Sequence, residues 1–163
     1  MTDADVSRRS SLRISIVIAA VVVLIDQLSK RAALNALSGG DAHHVIWTLQ
    51  WNLSFNRGMA FSTGEGAGPI IGVVALVVVV VLLLSLRKSG GRIATIAIGL
   101  VVGGALGNIA DRSFRDSGWL RGRVIDFIDF QWFPIFNVAD MCINVGGALL
   151  VLGALLTAKA MHS

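Results

Sequence analysis

Chemistry in this chain rests with its carboxylates. The stretch Phe136–Gly146, FNVADMCINVG, sets Asp140 at the head of Met141–Ala158, 18 residues with no charge. An aspartate at the centre of a membrane helix costs roughly 2.5–3.5 kcal/mol, and less toward the interface, so such residues usually face a bundle interior and serve a function. Asn137 and Asn144 lie one turn to either side of Asp140, and Asn108 stands three residues before Asp111, which gives that pair one helix face. Asn137 can also cap the last helix, with Asp140 at its third position. Two close carboxylates resist joint ionisation and hold one proton between them near neutral pH. An ionised aspartate can then take a proton from water while a protonated one polarises an amide carbonyl and protonates the leaving nitrogen. His43, His44 and His162 fall outside the polar set, so no serine–histidine–aspartate arrangement is available, and none has metal-ligand spacing. The single cysteine, Cys142, forms no internal disulfide and reads as packing inside an apolar run. Acid–base catalysis and proton or ion conduction both remain open.

The elements that must position these groups are membrane spans. The 163 residues are 55% hydrophobic and 15% charged, with a mean hydropathy of +0.75, outside the range of ordinary soluble domains. Ala67–Leu86 holds 20 residues without charge and Ile93–Ala110 holds 18. With Met141–Ala158 these are three spanning segments. Ile14–Leu34 is a fourth, weakened by Asp26, Gln27, Lys30 and Arg31 in its second half. The expected architecture is an all-α membrane bundle of four transmembrane helices at about 13–34, 69–86, 93–111 and 138–158, one integral domain over 1–163. Met1–Leu12 reads as a mobile polar tail. No small-residue cleavage site ends the first apolar run, so it reads as a retained helix and not a signal peptide. Pro69 suits the first turn of the second span. Two long loops, about 38–66 and 112–137, carry all four tryptophans, and Val45–Phe55 (VIWTLQWNLSF) reads as strand, giving a small β-rich cradle outside the membrane.

Helices 1 and 3 run one way across the membrane, and helices 2 and 4 the other. Asp26, Asp111, Asp116, Asp126, Asp129 and Asp140 therefore gather at one face, whereas only Asp3 and Asp5 lie at the opposite one. Gly99, Gly103 and Gly107 recur every four residues and permit close helix approach. They are expected to bring Asp111 near the head of helix 4. Lys and Arg number seven on each side. The dense basic turn Arg87–Arg92 decides the orientation, with both termini cytoplasmic. The net charge of +4 then reflects loops and helix ends, not a nucleic-acid partner.

Five segments in order along the four spans, DQLSK (Asp26–Lys30), FNRGMAFS (Phe55–Ser62), GGALGNIADR (Gly103–Arg112), VIDFIDF (Val124–Phe130) and FNVADMCINVG, resemble lipoprotein signal peptidases, the type II signal peptidases. The resemblance implies an aspartic endopeptidase of the bacterial cytoplasmic membrane, working near the extracytoplasmic face. It would remove the signal peptide of prolipoproteins by cutting before a diacylglyceryl-modified cysteine. By motif, the catalytic pair falls on Asp126 and Asp140, and supporting roles on Asp26, Asn56, Gly58, Asn108, Asp111, Arg112 and Asn137. No cofactor or metal is implied, and the partners are the lipidated substrates and membrane lipids, with the enzyme a monomer. Asn108 and Asn137 would orient the carboxylates. Arg112 would pair with Asp111 or bind substrate backbone, Asp26 would position the neck of helix 1, and Asp129 would be structural. Arg57 and Met59 stand where the family often has smaller residues. The loop Ser113–Arg123 is longer and more basic than usual, which bears on substrate access or anionic lipid contact. A transporter and a non-enzymatic scaffold are the rival classes, separable by Asp→Asn substitution.

Overall fold

A computed structural model describes residues 3–58, 68–85, 91–115 and 118–162. Met59–Ser62 of the second motif, most of the basic turn after helix 2, and Asp116 lie outside these residues. The chain runs α1 (Asp3–Leu37), β1 (His43–Ile46), β2 (Leu49–Asn56), α2 (Gly68–Ser85), α3 (Arg92–Phe114), β3 (Val124–Asp129) and α4 (Val138–His162). All four helices are long and apolar enough to cross a membrane. The strands form one antiparallel sheet in the order β1-β2-β3. The four-helix bundle with a small β-rich region is thus as the sequence predicts.

Two boundaries differ. Residues from Asp3 onward belong to α1, whereas a mobile tail is expected up to Leu12. Hydropathy marks what lies in lipid, not where helical hydrogen bonding stops. Buried Ser11, with Leu12 packed on the apolar core, holds the extension against the bundle. The 35 residues of α1 rise about 52 Å, well beyond a hydrocarbon core of about 30 Å. The expected single strand over Val45–Phe55 is instead a hairpin. It turns at Trp47, whose φ of 52° is left-handed, a turn no glycine or asparagine announces.

Small residues set the helix spacing. Ser15 Oγ donates to Thr95 O at 2.7 Å, which pins α1 to α3 at one end. A Cβ on Gly99 would meet Ile18, and one on Gly103 would come within 2.6 Å of Val22 Cβ and 2.9 Å of Ala19 Cα. Gly107 faces Asp26. The glycine row therefore seats α1, not α4 as expected. Close approach of α4 depends on Gly104, against the Ala139 carbonyl, and on Gly146, against Ala97 O. A core of Ala19, Val79, Ile98, Val102 and Ala105 joins α1, α2 and α3. Val73, Val77, Val80, Val151 and Leu155 face outward, as suits lipid contact. At the other end Ile125 and Phe127 of β3 pack on Ala33 and Leu37, which docks the sheet on α1.

These contacts predict opposite outcomes for two glycines. Gly103→Leu drives a side chain into α1 and should cost about 1–3 kcal/mol or more, seen as a lower melting temperature in detergent. Gly147→Ala points into open space inside α4 and should raise melting slightly, since Ala favours a helix interior over Gly by about 0.5–1 kcal/mol.

Candidate active site

Strand alternation decides where the β3 carboxylates go. Asp126 and Asp129 are three residues apart and take opposite faces of the sheet. Asp129 accepts from Gln50 Nε2 (2.7 Å), Asn52 Nδ2 (2.9 Å) and its own loop's Gln131 N–H (2.6 Å). Burial pushes its pKa up, but these bonds outweigh burial and hold it below the usual carboxylate range. Asp126 turns instead toward the helices.

Asp126 and Asp140 line one cavity of about 270 Å³. Asn56, Gly58, Asn108 and Arg112 line it too, while Ile71, Ala75, Ala105, Ile109 and Ile143 form its apolar wall. Asp126 also borders a second cavity, of about 440 Å³, with Ser54, Gln131, Trp132, Phe133 and Pro134.

Each carboxylate is held by amides. Asn137 Nδ2 donates to Asp126 Oδ1 at 2.6 Å, and Asn56 Nδ2 to Asp126 Oδ2 at 3.2 Å. Asn108 Nδ2 donates to Asp140 Oδ1 at 2.9 Å. The helix cap forms as well: Asp140 N–H donates to Asn137 Oδ1 at 3.0 Å, and Asn137 N–H to Asp140 Oδ2 at 3.2 Å. The cap and the site therefore use the same two side chains. Burial first, then the charge of Asp140, raises the pKa of Asp126 to about 7, against hydrogen bonds from Asn137 and Asn56 and the Lys30 charge.

The remaining expected residues stand behind or beside this pair. Gly58 N–H donates to Asn56 Oδ1 (2.9 Å), and Arg112 Nη2 donates to Gly58 O (2.8 Å), which fixes the end of β2 over the cavity. Arg112 thus bonds the Gly58 backbone, and the ion pairs seen for Asp111 are with Lys30 and Arg115. Arg112 Nη1 is buried and has no partner among the described residues. Asp26 and Asp111 do not line the cavity. Asp26 Oδ1 accepts from Ala139 N–H at 2.9 Å, and Asp111 Oδ2 from Ile125 N–H at 3.2 Å, which ties α4 and β3 to the bundle.

Sequence reasoning missed Lys30. It is wholly buried, and its ammonium lies 2.8 Å from both Asp26 and Asp111 and 2.9 Å from Asn108 Oδ1. Gln27 Nε2 joins the same cluster, reaching Gly107 O and Asp111. The signal was present as an acid and a base four residues apart inside an apolar run, a spacing that suits a helical ion pair.

Four membrane-crossing helices that enclose an amide-supported acid pair at one end define a polytopic membrane protein equipped for acid–base chemistry. Residues 18–156 match the family model described as signal peptidase (SPase) II. A lipoprotein signal peptidase of Mycolicibacterium smegmatis is 40% identical over 141 residues, covering 86% of this chain and 60% of that protein. One from Polynucleobacter necessarius is 38% identical over 149 residues, covering 85% and 86%. A solved bacterial membrane enzyme superposes with a TM-score of 0.78 at 31% identity, covering 91% of both chains. The chain belongs to the signal peptidase II family.

The raised pKa of Asp126 has a measurable consequence. Between the unfolded value of about 3.9 and the folded value of about 7, the folded protein binds more protons than the unfolded chain. Stability therefore falls as pH rises through that window. The melting temperature should drop from pH 4 to pH 7, and Asp126→Asn should flatten that part of the profile. A wild-type profile that rises across it would contradict the buried setting of Asp126.

Proposed function

We propose that this protein is an aspartic endopeptidase that removes the signal peptide from diacylglyceryl-modified prolipoproteins, with Asp126 and Asp140 as its catalytic pair. The observation that carries this reading is that the two carboxylates line one cavity, each braced by an asparagine amide. One ionised member takes a proton from water, and the other, protonated, polarises the scissile carbonyl and then protonates the leaving nitrogen. A pKa of about 7 suits Asp126 to holding or passing that proton at neutral pH. Arg112 Nη1, buried and without an acceptor among the described residues, is a ready donor for a substrate carbonyl, since a buried N–H without an acceptor is costly. Gly58 and Asn56 shape the rim. The apolar wall of the cavity suits the lipid or the hydrophobic signal segment, and the aromatic second cavity the polypeptide beyond.

The substrate class rests on the relatives' name, lipoprotein signal peptidase. The enzyme works as a monomer in the bacterial cytoplasmic membrane, with both termini in the cytoplasm and the pair near the extracytoplasmic face. Conduction is disfavoured by the bundle itself: on α1 and α3, between Ser15/Thr95 and the cluster at Asp26 and Asp111, no carboxylate, lysine or histidine is present.

The test is cleavage of a diacylglyceryl-modified prolipoprotein by the purified protein in detergent with EDTA present. Asp126→Asn and Asp140→Asn should each lower kcat by about a thousandfold or more, on the order of 4 kcal/mol in barrier, while substrate still binds. Cleavage that survives either change in a folded variant removes that residue from the pair. No cleavage by folded wild type overturns the peptidase reading.

A further inference from the structure

The polarity of the Asn108 amide behind the pair is set by one side chain. A lysine ammonium has three donors and no acceptor. The three atoms around Lys30 Nζ must therefore be acceptors: Asp26 Oδ2, Asp111 Oδ2 and Asn108 Oδ1. With its oxygen turned to Lys30, Asn108 has its NH2 directed at Asp140 Oδ1. Asn108 Oδ1 also accepts from Asn137 Nδ2 at 3.2 Å, an amide whose orientation the helix cap fixes separately, with Asp140 N–H on Asn137 Oδ1. Asn137 Nδ2 then spends its second hydrogen on Asp126 Oδ1 at 2.6 Å. Every bond in the relay has one allowed direction, and both directions of choice end in a donor aimed at a carboxylate.

We propose that Lys30 is a positioning residue: through Asn108 it makes Oδ1 of Asp140, the inner oxygen turned to Asn108, an acceptor, so that the proton of the pair stays on the cavity side. Lys30 does not line the cavity and touches neither Asp126 nor Asp140 among its hydrogen bonds and ion pairs. Without it, Asn108 Oδ1 keeps only the longer bond from Asn137, and a rotated amide sets an oxygen against Asp140 Oδ1. That arrangement demands a proton on the inner side, where it cannot reach a substrate nitrogen. The inference rests on the catalytic pair proposed above.

The charged groups around Asp126 bear on the test. They are Lys30 from α1, Arg112 from α3 and Asp140 from α4. Arg123, at the edge of β3, lies with its guanidinium 4.8 Å from the Phe55 ring. Removal of Lys30 alone changes both charge and amide polarity. Asn108→Leu keeps the Lys30 charge and removes the amide, so a shift shared with Lys30→Met isolates the polarity. Asn108→Leu also gives a second chance of a folded variant.

The experiment titrates the aspartate carboxyls of the purified protein by isotope-edited infrared spectroscopy, and measures the pH profile of prolipoprotein cleavage in parallel. Lys30→Met and Asn108→Leu should each move the titration of the Asp126–Asp140 pair upward by about one pH unit, and a shift in Lys30→Met alone overturns the proposal as a charge effect. The cleavage profile should follow, with kcat falling about tenfold or more and KM within about threefold. Ser15→Ala, at the far end of the α1–α3 seam, should lower the melting temperature and leave both profiles in place. Variants that melt earlier but titrate and cleave with the wild-type profile overturn the proposal and leave Lys30 a structural residue. Wild type that fails to cleave sinks the peptidase reading instead, and the infrared titration still decides the role of Lys30.

Discussion

A charge inside an apolar bundle must have its bonding capacity filled, and the ammonium of Lys30 imposes that condition on every element around it. Its acceptors come from α1 and α3, and those acceptors in turn take backbone N–H groups from α4, at Ala139, and β3, at Ile125. Removing one member of a buried ion pair commonly costs about 3–5 kcal/mol, because the partner is left charged and alone. One cluster therefore sets the relative placement of three helices and the strand that bears Asp126. Arg115 and Gln27 fill the remaining oxygen of Asp111, Oδ1.

Economy of side chains follows from the same constraint. Asn137 spends its oxygen on the helix cap and its amide hydrogens on Asn108 and Asp126. Asp140 spends one oxygen on the cap and the other on Asn108. Fold and site cannot be separated here, since each residue does both. The glycines show a similar economy: Gly104 lets α4 close on α3 at the depth where Asn108 meets Asp140.

Much of this was legible in the sequence because lipid leaves few options. Charge-free runs of span length mark α2, α3 and α4, and acids at span ends must converge. The motifs around Asn56, Asn108, Asp126 and Asp140 carried enough type and spacing to place those residues together. What escaped was of another kind. Hydropathy could not see α1 continuing to Asp3, because the helix leaves the lipid while its hydrogen bonding goes on. The hairpin turn at Trp47 lacks the residues that favour positive φ. The glycine row gave a spacing but no partner, and the partner was α1. Lys30 looked like a blemish on a span until its three acceptors were in view, since the spacing to Asp26 announces one ion pair while the two acceptors on α3 leave no local signature.

Asp126 rides on a strand and Asp140 on a helix, and this division has a consequence for the nascent chain. The strand is held by β2, by Ile125 and Phe127 against α1, and by Asp111, whereas the head of α4 is held by α3 and Asp26. Neither half carries two acids of the pair. On the catalytic pair proposed above, a protein whose sheet has not yet docked, or whose last helix has not yet inserted, would hold only a lone carboxylate. Assembly would then act as its own safety catch, with reactivity arising in the same event that completes the fold.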